Sequence, residues 1–333
     1  MKIAIVERQG TFSDGWIKYC QENEIAYKIV DPYRSDIIQQ VEGCDAFMWH
    51  HHHADYKDVL FAKQLLYSLQ QKGLRVYPDF NSVWHFDDKV GQKYLLESIG
   101  APLVPSFVFY RKSDALAWIE QTSFPKVFKL RGGASGSNVK LATTARKAKA
   151  LVNRAFGKGF PQFNRIGNFK EHARNVREGR EPFTGLLRGL ARMVVIPEYA
   201  RMHPREKGYA YFQEFIPGNQ YDTRVVVIGG ERALGERRYC RPGDFRASGS
   251  GRFEYVQIDK CFLKIAFEIA RKLKLQTVAF DFIYDRGTPL VIEMSYGFGT
   301  HGISHCGGYY TTDFVWHEDK NLNFYGWMIE MMK

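Results

Sequence analysis

Two carboxylates lie in adjacent apolar segments near the end of the chain. VAFDFIYDRGTPLVIEMS, residues 278–295, predicts two strands joined by a turn at residues 285–287. A hairpin centred on that turn pairs Asp281 with Glu293. Two like charges opposite each other in an apolar sheet repel and are costly to desolvate. A hard divalent cation such as Mg²⁺ removes the conflict, and the alternative is a solvent-facing pair neutralised by arginines.

A glycine- and serine-rich loop forms the second candidate. It follows FPKVFKL, residues 124–130, and reads RGGASGSN, residues 131–138. Glycines let backbone amides approach an anion closely, and Lys129 brings positive charge to the same place. The segment predicts a hairpin that covers phosphate, with a flexible surface loop as the alternative. The motif GxxxxGK[ST] is absent from the chain, so this is not a P-loop.

A broken strand and a group of arginines form the third candidate. YFQEFIPGNQYDTRVVVIGG, residues 211–230, predicts a strand that breaks at Pro217-Gly218 and then resumes. Such a break offers backbone donors and acceptors to a flat base. RRYCRPGDFRASGSG, residues 237–251, then places four arginines among glycines. Arginines in this setting suit phosphoryl groups or carboxylates, and a solvated basic hairpin is the alternative.

Four consecutive histidines, His50 to His53, follow a predicted strand. They are internal, so they are not a terminal tag. Neighbouring side chains diverge, which disfavours joint binding of one metal ion. In open parallel sheets, ligands collect beyond the carboxyl ends of the strands. We interpret the run as a loop at the mouth of a substrate cleft, with plain polar loop residues or a metal site as alternatives.

Composition limits the classes of protein that fit. The length of 333 residues suggests two or three compact units. A net charge of +11 suits nucleic acid or small anionic ligands, but no recognition-helix or aromatic-platform motif supports nucleic acid. Five cysteines without CxxC spacing fit a reducing compartment. With no signal peptide and no apolar run of membrane-spanning length, we expect a cytoplasmic protein without a membrane partner.

The order of predicted elements changes along the chain. Up to about residue 84, strands and helices alternate, which predicts a parallel sheet with helices on both faces. Beyond it, strands and helices are mixed. A basic stretch at about 151–207 is poor in strands, with helices predicted at 168–179 and 185–193. Strands return after it.

Taken together, these segments resemble the ATP-grasp superfamily of carboxylate–amine ligases, of the ribosomal-protein- and glutathione-synthetase-like type. The resemblance covers about residues 1–330 and rests on the order and spacing of the motifs. It implies an α/β fold in which an N-terminal parallel-sheet pre-grasp domain, 1–84, precedes a two-part ATP-grasp α+β domain. The small lid subdomain would span 85–210, including the basic insert of about 151–207. The large subdomain, 211–333, would carry the metal and substrate loops.

The resemblance also implies roles for individual residues. The implied contacts to ATP are Lys89, Lys129, Ser135, Gly136, Glu214, Phe215, Ile216 and Asp222. Arg224 and Arg246 would be catalytic and would contact phosphates or the acyl-phosphate. Asp281, Glu293 and Ser295 would hold Mg²⁺, with Mn²⁺ as an alternative. The family's metal motif ends in Glu-x-Asn, so Ser295 offers a poorer oxygen than the usual amide.

The implied reaction has two steps. A carboxylate attacks the γ-phosphate of ATP and becomes an acyl-phosphate, from which an amine then displaces phosphate. We therefore predict an ATP-dependent ligase for a small-molecule carboxylate and amine, with no nucleic-acid partner. The resemblance also allows a homodimer. The alternatives are an ATP-grasp kinase or thioester former, and a non-catalytic nucleotide-binding protein.

Overall fold

The computed structural model describes residues 1–133, 138–161 and 202–333, together with scattered positions between 162 and 201. The chain folds into two compact units. The first combines Met1–Val104 with Ile216–Lys333, and the second is Pro105–Phe215. The predicted subdomain limits at residues 84 and 210 stay predictions. Most of the two helices predicted in the basic insert lies outside the described residues.

A parallel sheet opens the first unit. Its strands are β1 (Lys2–Ile5), β2 (Ala26–Ile29), β3 (Ala46–Met48) and β4 (Arg75–Tyr77), in the order β2-β1-β3-β4. Adjacent strands pair in parallel. The accompanying helices are α1 (Phe12–Glu22), α2 (Ile37–Gln40), α3 (Tyr56–Gln71), α4 (Phe80–Val83) and α5 (Lys89–Ser98). The N-terminal parallel sheet predicted from the alternating pattern is confirmed.

Local chemistry fixes the start and the orientation of α1. The helix begins at Phe12 because the Thr11 side chain accepts a hydrogen bond from the Ser13 backbone N–H at 3.3 Å. Its buried residues Phe12, Trp16 and Cys20 recur every four positions. They therefore lie on one side of the helix and face the core.

The second unit contains an antiparallel sheet. Its strands are β5 (Ser106–Phe109), β6 (Lys126–Lys129), β7 (Val139–Ala142) and β8 (Ala210–Glu214), in the order β5-β8-β6-β7. Helices α6 (Lys112–Gln121) and α7 (Ala145–Ala155) contribute Ile119 and Val152 to one core with Phe128 and Phe212. Because side chains alternate along a strand, Lys129 lies on the sheet face opposite Phe128.

A larger antiparallel sheet completes the first unit. Its strands are β9 (Tyr221–Ile228), β10 (Arg232–Tyr239), β11 (Phe253–Glu254), β12 (Thr277–Asp285), β13 (Thr288–Ser295), β14 (Gly308–Thr311) and β15 (Trp316–Glu318). The order is β13-β12-β9-β10-β14-β15, and β11 pairs with β10. The helices of this part are α8 (Lys260–Leu273), α9 (Thr300–Ile303) and α10 (Phe324–Glu330). No helix among the described residues has the length and hydrophobicity that a membrane crossing requires.

Each face of this sheet packs in a different core. Val225 and Val227 of β9 join the core that contains α8. Val226 and Ile228, which alternate with them, join the core that contains α1 and α10. Both faces of the apolar half of β9 are therefore buried, and this fixes which side chains share each face.

Two glycines allow close contact between α1 and α10. A Cβ atom at Gly15 would overlap the ring of Tyr325, and a Cβ atom at Gly326 would overlap the ring of Tyr19. Each helix thus places an aromatic ring against a glycine of the other. This reciprocal packing joins the first and last helices of the unit.

We expect Gly15→Ala to lower the free energy of unfolding by about 1–3 kcal/mol, because the added methyl group overlaps the Tyr325 ring. The expectation opposes helix propensity, which favours Ala over Gly by about 1 kcal/mol. Urea unfolding measures the effect. The control is Lys18→Ala on the same helix, whose side chain is 73% exposed. Equal or greater stability of Gly15→Ala would contradict the reciprocal packing.

Candidate functional site

One face of the larger antiparallel sheet changes from apolar to charged along its strands. On β9, Val226 and Ile228 face the core, and Asp222 and Arg224 continue on the same face at two-residue spacing. The strand register places further ionisable residues opposite these two or beside them, namely Glu236 and Arg238 on β10, Asp281 on β12 and Glu293 on β13. We call these six residues the charged face.

Arg238 is the buried centre of the charged face. Its side chain is 6% exposed. It donates to Asp222 through Nε at 2.7 Å and through Nη2 at 2.6 Å. Its Nη2 atom also lies 2.7 Å from Oδ2 of Asp281. Burial alone would lower the pKa of Arg238, but the carboxylates of Asp281 and Asp222 outweigh it, so the pKa lies above its ordinary value. Arg238 is therefore a permanent cation beneath the surface.

Asp281 accepts hydrogen bonds from two arginines. Arg224 donates to it through Nε at 2.8 Å and through Nη2 at 3.1 Å, in addition to the contact from Arg238. Burial works to raise the pKa of Asp281, and the two guanidinium groups lower it further than burial raises it. The carboxylate is thus ionised throughout the physiological range of pH.

Lys89 contacts the edge of the charged face. It is the first residue of α5, it is buried, and its Nζ lies 3.3 Å from Oε1 of Glu293. Burial works to lower the pKa of Lys89, but Glu293 and Asp87 outweigh it and raise the pKa above its ordinary value. The structure therefore places a lysine that was predicted to bind phosphate beside a carboxylate that was predicted to bind metal.

The expected pairing of Asp281 with Glu293 occurs in the strand register. An ionised carboxylate has about four acceptor positions, of which Asp281 uses three for arginines. The Glu293 side chain is 32% exposed. Ser295 pairs with Ala279 on the same face, and its hydroxyl donates to the Gly297 carbonyl at 2.6 Å.

These oxygen donors fit Mg²⁺, which commonly takes one or two carboxylates from a protein and its other ligands from phosphates and water. Within the parts of the chain that the structure describes, no group of three or more His, Cys, Asp or Glu side chains is placed to hold a metal ion. The arrangement therefore suits a cation shared with a phosphate ligand and does not form a closed protein cage.

The residues predicted to contact nucleotide in the second unit do not share one sheet face. Lys129 ends β6 and is buried. Glu214 pairs with Lys126 across β6 and β8, with Nζ–Oε distances of 2.5 and 2.6 Å. Because Lys126 and Lys129 are three positions apart on one strand, Glu214 and Lys129 lie on opposite faces. Phe215 is the last residue of this unit. Ser135 and Gly136 lie outside the described residues.

The remaining predicted residues belong to the first unit. Ile216 begins its C-terminal part and is half-buried. Asp222, predicted to contact the nucleotide, is held by Arg238. Arg246, predicted to be catalytic, donates to Asp244 through Nε at 2.9 Å and Nη2 at 2.5 Å. Each of these charged side chains therefore has a protein partner in the structure.

Sequence reasoning missed Glu236. It included Arg238 in the group of four arginines but missed its pairing with Asp222. The sequence does contain information on their positions, because β9 and β10 meet at a turn that contains Gly229 and Gly230. The turn-centred argument that paired Asp281 with Glu293 would also have placed Arg238 opposite Asp222.

The histidine run is partly a core element. His51 is 2% exposed, and its ring lies 5.1–5.9 Å from those of Trp49, Phe86 and Tyr296. His50 stacks on a neighbouring ring at 3.8 Å. The interpretation of the run as a substrate-facing loop is therefore wrong for His51, because the chain beyond β3 enters the aromatic core.

A family model matches residues 206–311 and describes the RimK-like ATP-grasp domain. Residues 206–311 of this chain are therefore similar to that domain. The matched segment includes the strands of the charged face. The resemblance to the ATP-grasp superfamily that the motifs indicated is confirmed.

Curated relatives match part of the chain. A "Probable alpha-L-glutamate ligase" of Coxiella burnetii is 32% identical over 96 residues, which make up 28% of this chain and 32% of that protein. A "Phosphoribosylamine--glycine ligase" of a Nostoc species is 31% identical over 113 residues, or 34% of this chain and 26% of that protein. The chain thus spans about a third or less of the length of these relatives.

Solved structures share the ATP-grasp fold over most of the chain. D-cycloserine synthetase DcsG has a TM-score of 0.62 at 14% identity, covering 100% of both chains. The RimK domain protein of Sphaerobacter thermophilus has a TM-score of 0.52 at 16% identity, covering 88% of this chain and 90% of that one. D-alanine–D-alanine ligase of Bacillus anthracis has a TM-score of 0.51 at 15% identity, covering 90% and 88%. The predicted fold class is therefore confirmed.

We expect Arg238→Met to lower the free energy of unfolding by about 3–5 kcal/mol, because it leaves buried carboxylates without their cation. The control is Arg237→Met at the next position, whose side chain is 24% exposed and lies 3.6 Å from Glu254. We expect the control to cost less than about 1 kcal/mol. Urea unfolding at pH 7 measures both variants, and similar losses would contradict the central role of Arg238.

His85 predicts a pH dependence of stability. It is buried, and its ring nitrogens have no hydrogen-bond partner among the described residues. Burial, aided by Lys63, lowers the pKa of His85 to about 4, whereas histidine in an unfolded chain has a pKa of about 6.5. The unfolded state therefore binds more protons between these values. The contribution of neutral His85 to the free energy of unfolding is therefore fully present above pH 6.5, and it falls as the pH drops toward 4.

We expect His85→Leu to make the free energy of unfolding less dependent on pH between 6.5 and 4, by up to about 1.4 kcal/mol per pH unit. Urea unfolding across this range measures the slope, which is independent of any constant loss from repacking. The exposed His317 provides the control, His317→Leu. An unchanged slope in His85→Leu would contradict the proposed burial of a neutral imidazole.

Proposed function

We propose that the chain is an ATP-dependent ligase that activates a carboxylate as an acyl-phosphate and joins it to an amine. The observation that carries this proposal is the charged face of the ATP-grasp sheet. There, carboxylates suited to a hard cation lie beside arginines suited to phosphoryl groups. Transfer of a phosphoryl group from ATP needs both kinds of group, because charge builds up on the transferred oxygens and on the metal-bound phosphates.

In this proposal, Asp281 and Glu293 hold Mg²⁺, with Ser295 as a weaker oxygen and Mn²⁺ as an alternative ion. The bound ion supplies charge neutralisation to the phosphates. Arg224 stabilises the transferred phosphoryl group, and Arg246 is the second candidate for this role. The nucleotide contacts are those expected from the resemblance, namely Lys89, Lys129, Ser135, Gly136, Glu214, Phe215, Ile216 and Asp222.

An amino acid is the proposed type of substrate. The names of the curated relatives, a glutamate ligase and a phosphoribosylamine–glycine ligase, support this choice. The excess of basic residues favours an anionic partner. L-Glutamate is therefore the first compound to test. The need for ATP and the five free cysteines support a cytoplasmic location.

Nucleotide binding gives the first test. We expect a non-hydrolysable ATP analogue with magnesium, at about 100 times its Kd, to stabilise the protein by about 2–4 kcal/mol in thermal unfolding. Stabilisation should require magnesium and be lost in Lys129→Ala. Lys147→Ala, an exposed lysine of α7, is the matched control and should keep it. The absence of stabilisation of the wild type at millimolar nucleotide would contradict the proposal.

Trapping of the acyl-phosphate gives the second test. Hydroxylamine converts acyl-phosphates to hydroxamates, so the wild type should form an ATP-dependent hydroxamate from at least one member of a carboxylate panel that includes L-glutamate. A stable phosphorylated product without hydroxamate would instead favour the kinase alternative.

A further inference from the structure

Glu236 is an unexplained buried acid on the charged face. It is 1% exposed. Among the described residues, its Oε2 atom has no hydrogen-bond partner. A buried polar atom without a partner costs free energy, and the cost is larger for an ionised group. Such an atom in a folded protein needs an explanation.

The segment after β13 covers this carboxylate. A Cβ atom at Gly302 would overlap Oε2 of Glu236, so only glycine at this position leaves room for the carboxylate. The hydroxyl of Tyr255 donates to the Gly302 carbonyl at 2.8 Å. The rings of Tyr255 and His305 lie nearly parallel, with centroids 6.3 Å apart. Glu236 thus lies beneath α9, a helix of four residues.

The two arginines near Glu236 form ion pairs with other carboxylates. Arg224 is opposite Glu236 in the strand register but donates to Asp281. Arg238 donates to Asp222 and contacts Asp281. Among the described residues, Glu236 therefore forms an ion pair with neither arginine, and Glu293 of the same face contacts Lys89 instead.

A metal ion held by Asp281 and Glu293 would lie too far from Glu236 to bind it. Strand β9 lies between β10 and β12, and two strand spacings amount to about 10 Å. Arg224 also lies between them on the same face. The other cation that the proposed reaction brings to the protein is the ammonium group of the amine.

We propose that Glu236 binds the ammonium group of the acceptor amine and accepts the proton that the amine must lose before it attacks. This inference rests on the proposed ligase function. Because Glu236 is buried beneath α9, this role requires that α9 shift or that Glu236 turn about its side-chain torsions to admit the amine.

The proton balance of this step is simple. One proton of the ammonium group passes to Oε2 of Glu236. The freed lone pair forms the C–N bond, the acyl C–O bond breaks, and phosphate leaves with the second proton as HPO₄²⁻. The third proton stays on the amide nitrogen.

The electrostatics of the site suit this role. Burial raises the pKa of Glu236 to about 7, and Arg224 and Arg238 limit the rise. Asp281, Asp222, Tyr255 and Cys306 are the other titratable groups that interact with it. A base is most effective when its pKa lies near the working pH.

The test compares two nucleophiles in Glu236→Gln. Hydroxylamine is uncharged near pH 8 and needs no base, whereas amino acids carry an ammonium group. We expect hydroxamate formation from the activated carboxylate to stay within about threefold of wild type. We expect amide formation with amino acids or ammonia, beginning with L-glutamate, to fall by about 10²–10⁴-fold. Glu231→Gln in the exposed β9–β10 turn is the matched control and should change neither rate.

The outcomes separate this inference from the function on which it rests. No hydroxamate from the wild type would overturn both. Hydroxamate from the wild type, with equal use of amines by Glu236→Gln, would overturn only the role of Glu236. Hydroxamate without amide formation by the wild type from any amine of the panel would also overturn it. A thermal melt of each variant checks folding, and Gln should be tolerated because it removes a buried charge without changing shape.

Discussion

The burial of the Arg238 guanidinium is the constraint on which the arrangement of the neighbouring strands depends. Transfer of an ion from water into a protein costs several kcal/mol, and only well-placed opposite charges offset that cost. Asp222 and Asp281 provide them from two different strands. The ion group therefore joins β9, β10 and β12 by more than their backbone hydrogen bonds.

The same ion group and the apolar core specify one register. A slip of one residue in β9 would move Asp222 and Arg224 to the face that packs on α8, and would move Val225 and Val227 to the charged face. Both changes are unfavourable, since one buries charges without partners and the other breaks the core. The buried charges favour the correct register, because in it Arg238 contacts both Asp222 and Asp281.

Sequence reasoning succeeded where contacts are local. The alternating pattern up to residue 84 predicted the parallel sheet, and the turn at residues 285–287 predicted the pairing of Asp281 with Glu293. In both cases the deciding information lies within a few residues, so composition and turn chemistry determine the result.

Sequence reasoning failed where segments that are distant in the chain come into contact. Glu214 meets Lys126, which is 88 residues earlier, and this pairing follows from sheet order that no local pattern contains. His51 is buried because Phe86 and Tyr296 surround it from other parts of the chain. The positions of Ser135 and Gly136 lie outside the described residues, so their roles stay predictions.

The discontinuity of the first unit has a consequence for synthesis on the ribosome. Trp16 donates to Met328, which is translated 312 residues later. At usual elongation rates, roughly 15–60 s pass before this partner exists. Meanwhile residues 105–215 emerge as one continuous unit and are free to fold. The apolar side of α1, together with Ile3 and Ile5 of β1, therefore lacks its partners on α10 for most of translation.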